Sequence, residues 1–408
     1  MRFTTLKDMD LSGKRVLLRA DLNVPKQDGK VTDTTRIDRL KPTIDFLKDA
    51  GAKILILSHF GRPDGEQNSS LSLAFLVNVL QERWGTDIKF APDCIGPKAQ
   101  SVADSLGEGE IALLENLRFH KGEKANDKDF IYALAALGDI YVNDAFSAAH
   151  RAHASTEGLA HAMPCAAGLL MEAELNALEQ ALGNPEKPVA AITGGSKIST
   201  KLSVLKNLVE KVDYLILGGG MANTFLLAQG AEIGNSLCEK DMLNEAKSIM
   251  AHAKEKGCEI ILPVDLVTVT EISPGAEAQV VSSSAVPADR MAIDAGPETI
   301  AHIKTRIENC KTVVWNGPMG VFEIKPFDAG TNALAQLVAA ATQAGTLKSI
   351  AGGGDTVAAL ENAGVADQFT YISTAGGAFL EWLEGKTLPG VAALSSRSVQ
   401  PGKAVSSH

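Results

Sequence analysis

The chain has 408 residues, of which 45% are hydrophobic and 22% charged, a composition typical of a globular protein with enough apolar material for two domains. Its net charge of -10 argues against binding to nucleic acid or to an anionic membrane surface. The five cysteines are scattered and form no CxxC pair, so they indicate neither a disulfide framework nor a zinc site, and a cytoplasmic location is expected. The N-terminus lacks the apolar segment of a signal peptide, and no uncharged run approaches the ~18 residues that a membrane span requires.

Short runs rich in Val, Ile and Leu alternate with amphipathic stretches along the whole chain. This alternation is typical of βαβ units and a parallel sheet. The strands predicted in the first half are 15–19, 53–57, 111–114 and 140–142. Those predicted in the second half are 189–192, 214–217, 260–262, 312–315, 349–351 and 370–372, with a helix at 241–256.

Between the two halves, residues 169–182 contain strong helix formers and end in a Gly/Asn/Pro stop. We therefore predict an α/β fold with two doubly wound parallel-sheet, Rossmann-like lobes joined by a helix and hinge. The predicted domains are an N-terminal lobe at 1–168, a connecting helix at 169–186 and a C-terminal lobe at 187–387. Residues 388–408 are expected to pack back near the N-terminal lobe.

In open α/β sheets, ligands bind beyond the carboxyl ends of the strands, so the residues that follow each strand are the most informative. In the first half these residues are Arg19, Asp21, Asn23, His59, Arg62, Arg118, His120, His150, Arg151 and His153. A single arginine at such a place is more often a surface ion pair. Four strands that end this way predict a basic cavity for a small molecule with several negative charges. Aromatic residues make up only 5% of the chain, which argues against a nucleic-acid surface.

The strands of the second half run into glycine-rich turns instead, with the sequences TGGSK, GGGMAN, NGPMG, GGGDT and TAGGA. One such turn is more often only a tight βα connection. Five turns that lead into helix N-termini predict a site for a polyphosphate or nucleotide. Lys197 and Lys201, four residues apart, are expected on one face at the start of a helix. The chain has no Walker motif and no complete GxGxxG fingerprint, which disfavours a nicotinamide-dependent dehydrogenase.

Two further residue patterns concern metals. Asp355 directly follows three glycines, and the pattern leaves open whether it caps a helix or binds Mg²⁺ beside the phosphates. His150, His153 and His161 have no accompanying carboxylate or cysteine ligand pattern, so no zinc site is expected there.

Nine motifs identify the chain as similar to the phosphoglycerate kinase family over nearly its whole length. They are RADLNVP (19–25), TRID (35–38), SHFGRP (58–63), LLENLRF (113–119), NDAFSAAHRAHAS (143–155), GGGMANTF (218–225), LPVD (262–265), WNGPMGVFE (315–323) and GGGDT (352–356). The resemblance implies reversible transfer of a phosphoryl group from 1,3-bisphosphoglycerate to ADP, with Mg²⁺, by a cytoplasmic monomer with no nucleic-acid or membrane partner. The remaining alternative is a binding protein that has kept the fold without the activity.

The resemblance also implies roles for individual residues. Those that would bind the phosphoglycerate are Asp21, Leu22, Asn23, Arg36, His59, Phe60, Gly61, Arg62, Arg118, His150 and Arg151. Those that would bind the nucleotide are Gly195, Lys197, Lys201, Gly219, Asn316, Pro318, Glu323, Gly353, Gly354, Asp355 and Thr356, with Asp355 on the metal. The catalytic residues would be Arg36, Lys197, Lys201 and Gly353.

Because the reverse reaction uses a carboxylate that is already ionised, no general base is required, and cations are expected to dominate the site. Arg36 and Lys201 are expected to bracket the migrating group, with closure of the lobes around 169–182 excluding water. The chain departs from the usual family pattern at Ser196, Thr200 and Ala375. At Ala375 a methyl group is expected to strain a turn that requires positive φ.

Overall fold

A computed structural model describes residues 2–395 of the chain, which form two compact units. Unit 1 comprises the described residues up to Leu175 together with those from Thr387 onward, and unit 2 comprises Asn176–Lys386. Residues 396–408, which include most of the predicted C-terminal segment, lie outside the described residues. Within the described part, no helix is long and apolar enough to cross a membrane.

Unit 1 contains eight strands among its described residues. They are β1 (Arg15–Arg19), β2 (Lys26–Gln27), β3 (Lys30–Val31), β4 (Lys53–Leu57), β5 (Ile88–Ala91), β6 (Ile111–Leu114), β7 (Ile140–Asn143) and β8 (Cys165–Ala167). The α-helices up to the boundary between the units are α1 (Thr35–Asp49), α2 (Val77–Trp84), α3 (Gly96–Asp104), α4 (Lys121–Ala125), α5 (Lys128–Ala135), α6 (Leu159–Ala162) and α7 (Leu169–Leu178). Short helical turns lie at Leu6–Asp8, Ser69–Leu71, Leu73–Leu76, Leu117–Phe119, Phe146–Ala148 and Ala154–Gly158.

Unit 2 is built from eleven further strands. They are β9 (Val189–Thr193), β10 (Tyr214–Leu217), β11 (Glu232–Ile233), β12 (Glu259–Ile261), β13 (Asp265–Val269), β14 (Gln279–Ser282), β15 (Ala285–Val286), β16 (Met291–Ala295), β17 (Thr312–Asn316), β18 (Lys348–Gly352) and β19 (Tyr371–Ser373). Its α-helices are α8 (Leu202–Val209), α9 (Gly219–Ala228), α10 (Leu243–Lys256), α11 (Pro297–Ile307), α12 (Ala329–Gln343), α13 (Gly354–Asn362) and α14 (Gly377–Leu383). Short helical turns lie at Glu179–Gly183, Lys240–Met242 and Ala366–Gln368, and the chain then re-enters unit 1 as α15 (Pro389–Ser395).

Each unit has a six-stranded parallel sheet as its centre. The strand order is β5-β6-β4-β1-β7-β8 in unit 1 and β12-β10-β9-β17-β18-β19 in unit 2. The order reverses next to β1 in the first sheet and next to β9 in the second, which confirms the predicted doubly wound α/β fold. Ligands of such sheets bind at the carboxyl ends of the strands on either side of this reversal.

Burial on both faces explains why the central strands were predictable. β6, β7, β9 and β17 consist entirely of buried residues, as expected for parallel strands covered by helices on both sides. Such strands appear in sequence as continuous apolar runs. The ten predicted strands all exist, with ends that differ by one residue at most.

The sequence-based prediction missed the strands without such a run. β5 carries an exposed Lys89, and β8 is only Cys-Ala-Ala. The antiparallel sheet of order β14-β13-β16 was also missed, because β14 is almost wholly exposed. The helix predicted at 169–182 is α7 as far as Leu178, followed by the separate turn Glu179–Gly183.

Candidate functional site

The first group of predicted residues lies where β1 ends and α1 begins. The guanidinium Nη1 of Arg36 donates to the carbonyl oxygen of Asn23 at 2.7 Å and to Asp21 Oδ1 at 3.1 Å. The other carboxylate oxygen of Asp21 accepts a hydrogen bond from the Ser147 hydroxyl at 2.5 Å. Arg36 is thus held in a fixed position while about a third of its side chain (36%) stays exposed. Sequence reasoning missed Ser147, since a serine in a loop carries no signal of its own.

Hydrogen bonds join this group to the turns after β4 and β6. Asn23 Oδ1 accepts the backbone N–H of Gly61 at 3.1 Å, and the carbonyl of Gly61 accepts from Arg118 Nη1 at 3.1 Å. Asn116, which was not predicted, binds both backbone polar groups of Phe60 through its side-chain amide. Leu22 and Phe60 are themselves buried, so they support the turns from beneath.

Arginine and histidine side chains gather beside these turns in what we call the basic cluster: His59, Arg62, Arg118, Arg151 and His153. Burial, followed by repulsion from Arg19 and Arg151, lowers the pKa of Arg118 to about 10. Burial and then repulsion from Arg118 likewise lower the pKa of His153 to about 4. No salt bridge within residues 2–395 pairs Arg62, Arg118 or Arg151 with a carboxylate. Only Glu123 opposes this repulsion at Arg118 among the main contributors, so a polyanion bound here would relieve the repulsion that remains.

His59 occupies a distinct position in the basic cluster. Burial, and then repulsion from Arg19 and other nearby cations, strongly lowers the pKa of His59, so the ring is neutral. Arg19 Nη2 lies 2.9 Å from His59 Nδ1, and a guanidinium only donates hydrogen bonds. His59 Nδ1 is therefore the acceptor, which leaves the ring proton on Nε2 as a donor.

Three of the residues expected along this edge behave differently. Arg19 is buried (1% exposed) and points inward, where its Nε donates to the Ser155 hydroxyl at 2.8 Å. His120 pairs with Asp93 at 2.8 Å, whereas His150 accepts from Arg151 Nε at 3.3 Å. The directions of Arg19 and His120 depend on partners distant in the sequence, which the order of residues along the chain does not reveal.

In unit 2, a cavity of about 390 Å³ lies beyond the carboxyl ends of the central strands. Of the predicted residues, Gly195, Gly219, Pro318, Glu323 and Asp355 line it. Its apolar wall was not predicted and consists of Leu237, Leu266, Ile272, Met291, Ile293, Met319 and Val321. An apolar cavity with a few polar groups suits a planar base with phosphates at one end. Met319 and Val321 lie in the WNGPMGVFE motif, but Leu266, Met291 and Ile293 come from the missed antiparallel sheet, which contains no recognisable motif.

Glycine is required where the turns after β9 and β10 touch. Gly219 has a φ of +70°, and a Cβ on it would lie 2.6 Å from the carbonyl oxygen of Gly195. Three of the five glycine-rich turns lead directly into helices, with Gly218, Gly353 and Gly376 as the residues that precede α9, α13 and α14. The other two turns run into longer loops, so the expectation of five helix N-termini is wrong for those after β9 and β17.

Lys201 caps the start of α8 and bends back over the turn after β9. Its Nζ donates to the carbonyl oxygen of Gly194 at 2.6 Å and to Asn316 Oδ1 at 2.7 Å. Burial lowers the pKa of Lys201 to about 8, although nearby Asp355 opposes this shift. Lys197 lies in the preceding loop and is exposed. The prediction that both lysines stand on one helix face is therefore wrong, because α8 begins only at Leu202.

The turn after β18 is fixed against the turn after β17. Asn316 Nδ2 donates to the carbonyl of Gly352 at 2.9 Å, and the Thr356 hydroxyl accepts the N–H of Gly317 at 2.7 Å. Gly353 precedes α13 with a φ of +98°, and Gly354 is the first residue of that helix. Asn316 and Thr356 are buried, so they position these turns rather than form the surface of the cavity.

Asp355 is the second residue of α13, and Gly353 holds the capping position. The N-cap interpretation of Asp355 is therefore wrong. Its carboxylate is exposed beside the cavity and close enough to Lys201 to affect that lysine's pKa. An exposed carboxylate at the start of a helix fits Mg²⁺, which takes one or two carboxylates together with phosphate oxygens.

The departure from the family pattern at Ala375 causes no strain of the expected kind. The positive φ in this turn, +53°, belongs to Gly376, and Ala375 is absent from the left-handed region. Its backbone N–H donates to the Ser373 hydroxyl at 3.2 Å. Ser196 lines the cavity, and the Thr200 hydroxyl donates to the carbonyl of Lys197.

Comparisons with known proteins agree on one family. Residues 6–386 match a model of the phosphoglycerate kinase family. Among curated relatives, the phosphoglycerate kinase of Rhizobium meliloti (strain 1021) is 59% identical over 399 residues, which cover 98% of this chain and all of the relative. That of Rhodospirillum centenum is 58% identical over 97% of this chain and all of the relative.

Solved structures give the same result. The phosphoglycerate kinase of Coxiella burnetii superimposes with a TM-score of 0.91 at 44% identity, covering 97% of this chain and 99% of that chain. The enzyme of Pyrococcus horikoshii OT3 gives a TM-score of 0.78 at 31% identity, over 96% of this chain and 98% of that chain.

Proposed function

The chain belongs to the phosphoglycerate kinase family, and from this premise we propose how its residues divide the work of the reaction. The enzyme transfers a phosphoryl group reversibly from 1,3-bisphosphoglycerate to ADP, giving 3-phosphoglycerate and ATP. The acceptor in the reverse direction is a carboxyl group. Neither a dehydrogenase nor a non-catalytic binding protein has support from the relatives.

Phosphoglycerate binds, in this proposal, at the basic cluster and the turns after β1 and β4. The observation that carries this assignment is the mutual repulsion of Arg118 with Arg19, Arg151 and Arg62, which a phosphate and a carboxylate would balance. Asp21 and Asn23 orient Arg36 and bind substrate hydroxyl or carboxylate oxygens through their remaining polar atoms. His59 supplies a neutral donor, and His150 lies beside Arg151 at the rim.

ADP and ATP bind at the cavity of unit 2. Its apolar wall receives the base, Glu323 and Pro318 lie beside the sugar, and the glycine turns receive the phosphates. Lys197 and Lys201 supply the positive charge that these turns otherwise lack. The proposed nucleotide residues that are buried, Asn316 and Thr356, act by holding Lys201 and the start of α13 in place.

The chemistry explains why cations outnumber acids and bases in both groups. Phosphoryl transfer spreads negative charge over three equatorial oxygens, and the carboxylate nucleophile needs no proton removed. We assign stabilisation of this charge to Arg36, Lys197, Lys201 and the backbone N–H groups near Gly353. A bound Mg²⁺, held by Asp355 and the nucleotide, would neutralise phosphate charge further.

We also propose that residues 1–168 bind the phosphoglycerate and that residues 187–387 bind the nucleotide. Residues 169–186 connect these two parts of the chain. The proposal further includes action as a monomer in the cytoplasm, which fits the five free thiols.

The decisive experiment is a coupled assay that starts from ATP and 3-phosphoglycerate and follows 1,3-bisphosphoglycerate through a NADH-dependent dehydrogenase. Activity that disappears on chelation of Mg²⁺ and returns on its addition supports the proposal, whereas no activity with Mg²⁺ present refutes it.

A further inference from the structure

Three side chains with metal-binding atoms meet in unit 1 at a place that the phosphoglycerate site does not use. Asp93 and Cys94 follow β5, and His120 follows the turn Leu117–Phe119 after β6. One ligand atom from each of the three lies within 4.8 Å of the others. The two loops meet because β5 and β6 are neighbouring parallel strands, whose carboxyl ends share one edge of the sheet.

Each of the three side chains is already oriented by its surroundings. His120 Nε2 lies 2.8 Å from Asp93 Oδ1, and the same carboxylate oxygen accepts the backbone N–H of Cys94 at 2.7 Å. The imidazole of His120 stacks on the Phe130 ring with centroids 5.3 Å apart. Cys94 is fully buried, whereas Asp93 and His120 are each more than a quarter exposed, so an ion can enter from solvent.

The donor set selects the kind of ion. Sulfur, imidazole nitrogen and carboxylate oxygen together suit Zn²⁺, whereas Mg²⁺ and Ca²⁺ take oxygen ligands only. In a tetrahedral zinc site the donor atoms lie roughly 3.3 to 3.8 Å apart, so movements of about 1 Å would complete the coordination. We propose that Asp93, Cys94 and His120 bind one Zn²⁺ ion, with water as the fourth ligand.

The surrounding charge favours a cation at this place. The carboxylates of Asp93, Glu123 and Glu115 lie close enough to the Cys94 thiol to act on it electrostatically. The same negative charges attract a divalent ion, which displaces the thiol proton and leaves a thiolate bound to the metal. Glu123 is buried, and its Oε2 atom has no hydrogen-bond partner in the described part of the chain. Binding therefore releases one proton, and the thiolate and the Asp93 carboxylate together balance the charge of the ion.

The competing interpretation is structural. His120 occupies the capping position before α4, so its contact with Asp93 can serve only to join two loops. In that case the three side chains bind no metal, and Cys94 is a buried apolar filler. Spacing in the sequence does not distinguish a metal site from a loop contact, since His120 lies 26 residues beyond Cys94 on another loop.

The test uses the full chain after removal of metals with a chelator. Titration with Co²⁺ is expected to give the thiolate-to-cobalt charge-transfer absorption at one ion per chain, and Zn²⁺ is expected to displace it. Cys94→Ser should abolish this absorption and weaken Zn²⁺ binding at least tenfold. His120→Gln should weaken Zn²⁺ binding by a similar factor. Because His120 is partly exposed, this variant should fold, so it tests the proposed zinc site even if Cys94→Ser does not fold.

Two matched controls test other side chains that can bind metal. Cys238→Ser removes the one cysteine that is not fully buried, and His252→Gln removes a histidine that contacts Glu210 and Glu255. Both variants should keep the absorption and the Zn²⁺ affinity of the unmodified chain. Absence of the absorption in the unmodified chain, or its persistence in Cys94→Ser, would overturn the proposal. Because metal binding is measured without substrates, its failure leaves the kinase assignment untouched.

Discussion

Lys201 and Asn316 are 115 residues apart in the sequence, yet Lys201 Nζ donates a hydrogen bond of 2.7 Å to the side-chain oxygen of Asn316. The contact holds the ammonium group at the point where β17 ends and the following loop begins. Because Asn316 also binds the carbonyl of Gly352, one amide side chain connects the lysine to the turn that precedes helix α13.

The buried position of Lys201 predicts a limit to activity at alkaline pH. Its pKa is lowered to about 8, so the ammonium is present below that pH and is lost above it. For the free enzyme, kcat/KM for ATP should be level below about pH 8 and fall about tenfold per pH unit above it. Lys201→Arg should remove this fall, since a guanidinium stays charged. A profile of kcat/KM between pH 6 and pH 10 checks this, and an unchanged profile in Lys201→Arg would assign the titration to another group.

Gly353→Ala should impair the proposed nucleotide site by moving Asn316. A Cβ at residue 353 would lie 2.6 Å from Asn316 Nδ2, so the amide and with it Lys201 must shift. We expect kcat to fall at least tenfold. Gly364→Ala is the matched control, because Gly364 also has a positive φ, +72°, but a Cβ there meets nothing within 4 Å.

Both glycine variants carry a backbone cost on the order of 1 kcal/mol from positive φ. Gly353 also has a ψ of 141°, outside the left-handed helical region, and its Cβ would press on Asn316, so the unfolding midpoint of Gly353→Ala should drop further than that of Gly364→Ala. Only Gly353→Ala should lose activity. Equal activity losses in the two variants would mean that general destabilisation, and not the position of Asn316, is responsible.

Arg36→Ala should lower kcat at least roughly a hundredfold, because a cation that stabilises transferred phosphoryl groups typically contributes 10³ to 10⁵ in rate. The fold should persist, since Arg36 is partly exposed and α1 keeps its apolar contacts. Lys41→Ala on the same helix is the control, as Lys41 forms only an exposed pair with Asp45. Steady-state kinetics with circular dichroism measure both variants, and near-normal turnover in Arg36→Ala would remove its catalytic role.

Asp355→Asn should raise the concentration of free Mg²⁺ needed for half-maximal rate at least tenfold, because an amide oxygen is a weaker ligand than a carboxylate. Asp367→Asn, in the exposed turn Ala366–Gln368 of the same unit, should leave this concentration unchanged. Rates measured against free Mg²⁺ at fixed ATP provide the comparison. A common Mg²⁺ dependence for both variants and the unmodified chain would exclude Asp355 as a ligand.

The fold was largely predictable from sequence because its central strands are buried on both faces. Continuous apolar runs such as 53–57 and 214–217 indicate buried parallel strands when they alternate with amphipathic segments. The antiparallel sheet was not predictable, since β14 is exposed and β16 reads Met-Ala-Ile-Asp-Ala. The apolar wall of the cavity in unit 2, which this sheet helps to form, was missed for the same reason.

The candidate site was predictable to the level of which residues follow which strands, but not to the level of where their side chains point. Arg19 is the last residue of β1 and its Nη2 contacts His59 of the basic cluster, but the side chain is buried and its Nε turns inward to Ser155, 136 residues further along the chain. Lys201 bends back to Asn316 for a comparable reason. Such directions are set by tertiary partners, which local spacing does not encode.

The path of the chain has a consequence for synthesis on the ribosome. Helix α15 packs on α6, on the turn Ala154–Gly158 and on β8, and the backbone N–H of Gly390 donates to the carbonyl of Ala149 at 2.8 Å. Unit 1 is thus assembled from two stretches of polypeptide, while Asn176–Lys386 is continuous. During synthesis, all of unit 2 is made before the last segment of unit 1 leaves the exit tunnel. Unit 1 is therefore the first unit to begin translation and the last to be completed. A premature stop near residue 387 would leave unit 1 unfinished and unit 2 complete.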